Sequence, residues 1–149
     1  MKSGDPSKTS KQMGDAGEML VAAELTLAGV PCAKMPDGWP IYDLIAQPTE
    51  GPPQRISVKT RTYRSQGSAF AHYFDSHEFE WFAIVLLPGD GLEEREIYLI
   101  PRGWADENAP RKDRKTKRQE AGRYWRLWEL STQCCQFRSN FKLACSPQP

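Results

Sequence analysis

The chain has 149 residues, of which 39% are hydrophobic and 26% charged, and its formal net charge is +1. That length and balance predict one domain, residues 1–149, with a real core, and exclude a disordered polymer. No apolar run approaches the roughly 18 residues of a membrane-spanning helix, and a near-neutral total excludes a protein-wide basic field.

Residues 1–11 are polar and read as a flexible lead-in. They lack the apolar centre of a secretory signal, so a cytoplasmic protein is expected. Cys32, Cys134, Cys135 and Cys145 show no CxxC spacing and are expected as buried, reduced thiols. From Met13 the pattern turns helical, with Met13, Ala16, Leu20, Ala23 and Leu27 at helical spacing until Gly29 and Val30-Pro31 stop the run. "CAKM" follows, then the turn-rich "PDGWP". "YDLIAQ" suits a strand, "PTEGPP" a connection, and "QRISVKT" alternates, with Ile56 and Val58 on one face and Arg55, Ser57 and Lys59 on the other. The last two strands predict a hairpin.

Residues 63–79 have no clean period and read as a loop with a short helix. "WFAIVLL" is continuously apolar, as expected of a strand covered on both faces, and "REIYLIP" beyond "PGDG" is its hairpin partner. The window Arg111–Arg126 carries eight Lys or Arg against Asp113 and Glu120. It leads into "RYWRLWEL", where Tyr124, Leu127 and Trp128 predict a helical face. The expected class is α/β, in the order α-β-β-β-(α)-β-β-α, with a central mixed sheet of about five strands flanked by helices.

Alternation places Ser57 and Lys59 about 7 Å apart on one strand face, and the hairpin brings Asp43 beside them. Ionised groups are costly to bury unless paired, so an acid and a Lys on neighbouring strands point to chemistry. The chemistry that uses them is metal-assisted phosphodiester cleavage, in which an acid and a backbone carbonyl hold Mg²⁺ and the Lys serves the water or the phosphate. Competing chemistries lack their residues. His72 and His77 are too few for a zinc site, "PGDG" lacks the Lys-Ser/Thr of a nucleotide loop, and no Ser or Cys nucleophile is matched to a His base.

"GDAGE" at the first helix, "YDLIA", "ISVKTR" and the hairpin "WFAIVLL" with "IYLIP" together resemble the PD-(D/E)xK, or restriction-endonuclease-like, nuclease superfamily. The pattern is most similar to a small branch with "GE…YDL…QVKT" that includes intron-encoded homing endonucleases. The resemblance covers residues 13–101 and leaves 102–149 as a basic and aromatic carboxyl-terminal extension. It implies a restriction-endonuclease-like fold and hydrolysis of DNA with Mg²⁺, or Mn²⁺ in its place.

By position it implies Asp43 as metal-binding acid, Lys59 as catalytic Lys, Glu18 as accessory acid, and the Val58 carbonyl as a further metal ligand. Ser57 stands where the family has Glu or Gln and is implied as a catalytic metal ligand, direct or through water, although a hydroxyl brings less charge to a metal. For Glu18 the alternative is local, because Asp15 and Glu18 have capping-box spacing. Glu24 on the apolar helical face is a reserve acid. Asp37, of the literal Pro36-Asp37, lies in a turn and is not preferred. DNA is the expected partner, with RNA as the alternative polyanion. Arg61, Arg64, Arg111, Lys112, Arg114, Lys115, Lys117, Arg118 and Arg123 are expected on its phosphates, and Trp125 against its bases. Cutting two strands would pair two copies in a homodimer. The alternatives are a decayed nuclease fold that only binds nucleic acid, marked by Ser57, and a protein-interaction module acting on a nucleic-acid enzyme.

Overall fold

The computed structural model describes residues 8–113 and 120–147. Its first element, α1 (Ser10–Leu27), starts ahead of the predicted Met13 because Thr9 and Gln12 form a reciprocal cap. Thr9 Oγ1 accepts the Gln12 N–H at 3.0 Å, and Gln12 Oε1 accepts the Thr9 N–H at 2.9 Å. Asp15 and Glu18 are therefore not the capping pair. The helix stops as expected at Gly29, whose φ of 95° suits glycine alone.

The buried stripe of α1 is Gly17, Val21 and Leu25, not the predicted Met13, Ala16, Leu20, Ala23 and Leu27. Leu27 is 82% exposed. The helix is rotated because its closest approach to the sheet runs through Gly17, which lies against the Thr60 side chain. Only a residue without a Cβ permits that spacing.

The strands that follow are β1 (Cys32–Lys34), β2 (Leu44–Ala46), β3 (Gln54–Thr62), β4 (Phe70–Phe74), β5 (Trp81–Leu87) and β6 (Glu96–Pro101). Then come α2 (Arg102–Asn108), β7 (Arg111–Lys112), β8 (Gly122–Arg126), a 3₁₀ turn over Leu127–Glu129, α3 (Leu130–Gln133) and a 3₁₀ turn over Cys135–Phe137. The expected class holds. A five-stranded mixed sheet has the order β1-β2-β3-β5-β6, with β3 and β5 parallel and the other pairs antiparallel. Both predicted hairpins are present, and every residue of β5 except Leu87 is buried, as its apolar run requires.

Period-2 alternation assigns the two faces. Ile56 and Val58, with Trp81, Ala83 and Val85, form one core under Val21 and Leu25. The opposite face carries Phe82, Ile84 and Leu86, and it packs on a second, three-stranded sheet of order β4-β8-β7. Ala71, Tyr73 and Trp125 are that sheet's inner residues.

The second sheet corrects two expectations. Residues 63–79 supply the strand β4, and the described ends of the basic window form the antiparallel β7–β8 pair, so "GRYWR" is a strand rather than part of a helical face. "GRYWR" alternates Trp125 inward with Tyr124 and Arg126 outward, and five cross-strand pairs with β4 outweigh the local helical spacing. The chain turns helical only from Leu127. Cys134 is buried, but Cys135 and Cys145 are exposed, contrary to expectation. No helix among the described residues is long and apolar enough to cross a membrane.

Candidate active site

β2 pairs with β3 over only three positions, Leu44 with Ile56 through Ala46 with Gln54, whereas β3 continues to Thr62. Beyond Ile56 the β2-side edge of β3 is therefore open, and Asp43 occupies its start. The Asp43 N–H donates to the Ile56 carbonyl at 2.9 Å, its own carbonyl accepts the Met35 N–H at 2.8 Å, and Oδ2 accepts the Val58 N–H at 2.7 Å. These links hold both backbone and carboxylate. The N–H and C=O of an extended residue point the same way, so the Val58 carbonyl also faces this edge. Two residues earlier Ile41 has φ of 80°, a costly conformation for a β-branched residue and one that clusters at functional sites.

Asp43 and Glu18 share a cavity of about 200 Å³ whose walls also include Lys11, Asp15 and Asp37. Burial pushes the Glu18 carboxyl above its ordinary pKa, and the charge of Asp43 raises it further against the pull of Lys34. Burial likewise raises Asp43, opposed by the Val58 N–H and then by Lys59 and Lys34. Two desolvated carboxylates that repel each other across a small cavity, next to a carbonyl, are the oxygen-only donor set that suits Mg²⁺ or Mn²⁺. Among the described residues no group of three or more His, Cys, Asp or Glu is arranged to hold a metal, so an ion here would take its remaining ligands from water.

A groove of about 590 Å³ runs along Val58–Thr62 of β3. Lys8, Lys59, Arg61 and Arg64 line it, and none of its described lining residues is acidic. Burial lowers the Lys59 pKa, Arg61 lowers it further, and Asp43 works against both. The charge of Asp43 thus acts on both Glu18 and Lys59. Arg61 is anchored on the Phe70 carbonyl at 3.3 Å and the Thr60 carbonyl at 2.9 Å. Arg64 faces Asp90 at 3.6 Å. Ser57 is 3% exposed beside Phe82 and borders neither space.

The described carboxyl-terminal residues expected on nucleic acid sit together on β7 and β8, but several are already engaged within the fold. Trp125 is 1% exposed and stacks on Trp104, so its ring has no open face for a base. Its inward direction follows from the strand alternation that replaced the expected helix. Arg111 is engaged by Asp75 at 2.6 Å and Asp113 at 3.1 Å, and Arg123 donates to the Ala109 carbonyl. Lys112 lies over the Phe70 ring. Arg114, Lys115, Lys117 and Arg118 fall outside the described residues.

Two further residues stand beside the acids: Lys34, which the sequence does not signal, and Asp15, which it offered only as a cap. Lys34, on β1, reaches Asp15 at 3.2 Å and Glu18 at 3.7 Å. Asp15, a turn before Glu18, is drawn to Lys34 and Lys11, which hold its carboxyl below the usual range. Helical spacing alone makes Asp15 a neighbour of Glu18; nothing local predicts Lys34.

The arrangement as a whole is a mixed α/β fold with a five-stranded central sheet and Asp43 at the open inner edge of β3. No protein-family model matches the chain, and no curated protein does. Among solved structures it is similar to a bacterial homing endonuclease, I-Ssp6803I, with a TM-score of 0.54 and 18% identity. The similarity covers 92% of this chain and 91% of that one, and establishes a shared fold.

Proposed function

We propose that the protein is a metal-dependent endonuclease of the PD-(D/E)xK type that hydrolyses DNA phosphodiester bonds. The observation that carries this reading is that Asp43, in an acid-lined cavity, accepts the N–H of Val58, which lines a cationic groove together with Lys59. The fold shared with a homing endonuclease supports it.

Asp43, Glu18 and the Val58 carbonyl would hold the cation, Mg²⁺ or Mn²⁺, which supplies Lewis acidity to water and offsets charge on the phosphate. The chain's own residues do the rest. Asp43 is held in place by its backbone links. Lys59 Nζ donates to a phosphate oxygen, and its lowered pKa eases transfer of a proton at that atom. Arg61, anchored by two carbonyls, and Arg64 hold the backbone phosphates along the groove.

The test is cleavage of supercoiled plasmid and of single-stranded DNA in Mg²⁺, in Mn²⁺ and in EDTA. Cleavage should require the metal and vanish in Asp43→Asn and Lys59→Ala. Full metal-dependent cleavage by Asp43→Asn would sink the proposal. One observation favours a second reading, a nuclease fold that binds nucleic acid without cutting. Ser57 is buried and brings no charge where the motif has an acid or amide. On that reading every variant is silent while salt-sensitive binding persists.

A further inference from the structure

The three-stranded sheet has a second face. Alternation sends Ala71, Tyr73 and Trp125 into the core, so Phe70, His72 and Phe74 of β4 line the outside with Tyr124 and Arg126 of β8. Lys112 of β7 pairs with Gly122 and joins them. The rings form a continuous row: the centroids of Phe70 and His72 are 5.2 Å apart, those of His72 and Phe74 5.0 Å, and those of Phe70 and Tyr124 5.8 Å. Each of these rings is half-buried. Cations lie against them, with Lys112 Nζ 5.0 Å from the Phe70 centroid and the Arg126 guanidinium 5.9 Å from that of Tyr124. A concavity of about 440 Å³ opens here, and Asp113, paired with Arg111, is the one acid among its described lining residues.

An aromatic row on the solvent side of a sheet is a patch with a use, since ordinary outer faces are polar. Its rim is basic, so its occupant carries negative charge along with flat apolar groups. A duplex offers phosphates and base edges but keeps its base faces stacked. A single strand offers both phosphates and open π-faces. The groove beside Lys59 is close to this face, because Arg61, which lines it, is bonded to the backbone of Phe70.

We propose that the outer face of the β4-β8-β7 sheet is a base-stacking platform for single-stranded nucleic acid, with Phe70 and Tyr124 as stacking rings and Lys112 and Arg126 as phosphate contacts. That it leads the strand toward Lys59 rests on the nuclease reading; the binding itself does not.

The experiment is fluorescence anisotropy in EDTA with the full chain and three labelled probes: a short oligothymidylate, an abasic strand of the same length and charge, and a duplex of that length. The oligothymidylate should bind tightest. Phe70→Ala and Tyr124→Ala should each weaken it by roughly 5- to 100-fold, with little effect on the abasic strand. Tyr124→Phe, which keeps the ring, should retain affinity and guards against loss of fold as the cause. Lys112→Ala should flatten the salt dependence instead. Abasic strand or duplex binding as tightly as oligothymidylate would overturn the platform. So would light scattering that shows a dimer dissolved by the ring substitutions, since the face would then be a self-interface. Base-dependent binding without cleavage in Mg²⁺ would leave the platform standing and the nuclease reading fallen; cleavage without base-dependent binding would do the reverse.

Discussion

Gly17→Ala is the substitution on which local and tertiary reasoning disagree in sign. Helix propensity alone makes the change stabilising by about 1 kcal/mol. The structure places the new Cβ 2.9 Å from Thr60 Cβ and 3.1 Å from its Cγ2, nearer still to the hydroxyl. Carbon atoms prefer about 3.5–4.0 Å, and β3 lies at the centre of the sheet, where it cannot withdraw. Overpacking of this kind costs about 1–3 kcal/mol, and the direct clash with a β-branched side chain argues for its upper half. The expected net loss is about 1–2 kcal/mol, or a fall in Tm of about 2–8 °C for a chain of this size.

Gly14→Ala is the internal control, because nothing lies within 4 Å of its added methyl. It should stabilise by up to about 1 kcal/mol. Urea unfolding followed by circular dichroism, on both variants and on Gly17→Ala in a Thr60→Ala background, completes the test. Removing the Thr60 hydroxyl and methyl should recover at least about 0.5 kcal/mol of the loss through coupling. Gly17→Ala unfolding at or above the native midpoint would refute the packing argument. The same displacement moves the adjacent Glu18, so Gly17→Ala should also impair any activity that needs its carboxylate.

Other expectations concern charge and buried polarity. Mg²⁺ or Mn²⁺ at ten times its Kd should raise stability by about 1.4 kcal/mol by relieving the repulsion between Glu18 and Asp43. A thermal shift that is reversed by EDTA and lost in Asp43→Asn would show it without any cleavage assay, whereas a shift retained in Asp43→Asn would place the ion elsewhere. Glu80 accepts the Arg55 N–H at 2.7 Å and its guanidinium at 2.5 Å, which hold the carboxyl below its ordinary range. A carboxyl lowered in the folded state stabilises above its unfolded pKa, and the benefit is lost as pH falls through the folded value. Glu80→Gln should therefore flatten the decline in urea midpoint below about pH 4.5, and an unchanged acid profile would count against the pair. Asn140 is buried, and its amide bonds the Leu99 carbonyl and both the N–H and carbonyl of Ala144. Asn140→Ala should cost about 2–3 kcal/mol by leaving those backbone groups unpaired; a loss under about 0.5 kcal/mol would show that water replaces the amide.

The sequence by itself determined the central sheet and the neighbourhood of Asp43 and Lys59. Alternation in "QRISVKT", the unbroken apolar "WFAIVLL" and short Pro/Gly connections specify strands and hairpins from nearby residues alone, and they carry Asp43 to β3 through a local turn. The same alternation separates Ile56 and Val58 from Ser57 and Lys59 before any partner is known. What lay beyond local pattern was decided by packing. "GRYWR" reads equally as a helical or a strand face, and only pairing with β4, some fifty residues earlier, selected the strand, buried Trp125 and turned Tyr124 outward. The apolar stripe of α1 was ambiguous for a similar reason: two stripes were available, and the contact of Gly17 with Thr60 chose the one that Met13 and Leu27 do not share. That rotation is also what sets Glu18 beside Asp43, a placement that depends on how closely a helix and a sheet approach, which no window of sequence encodes.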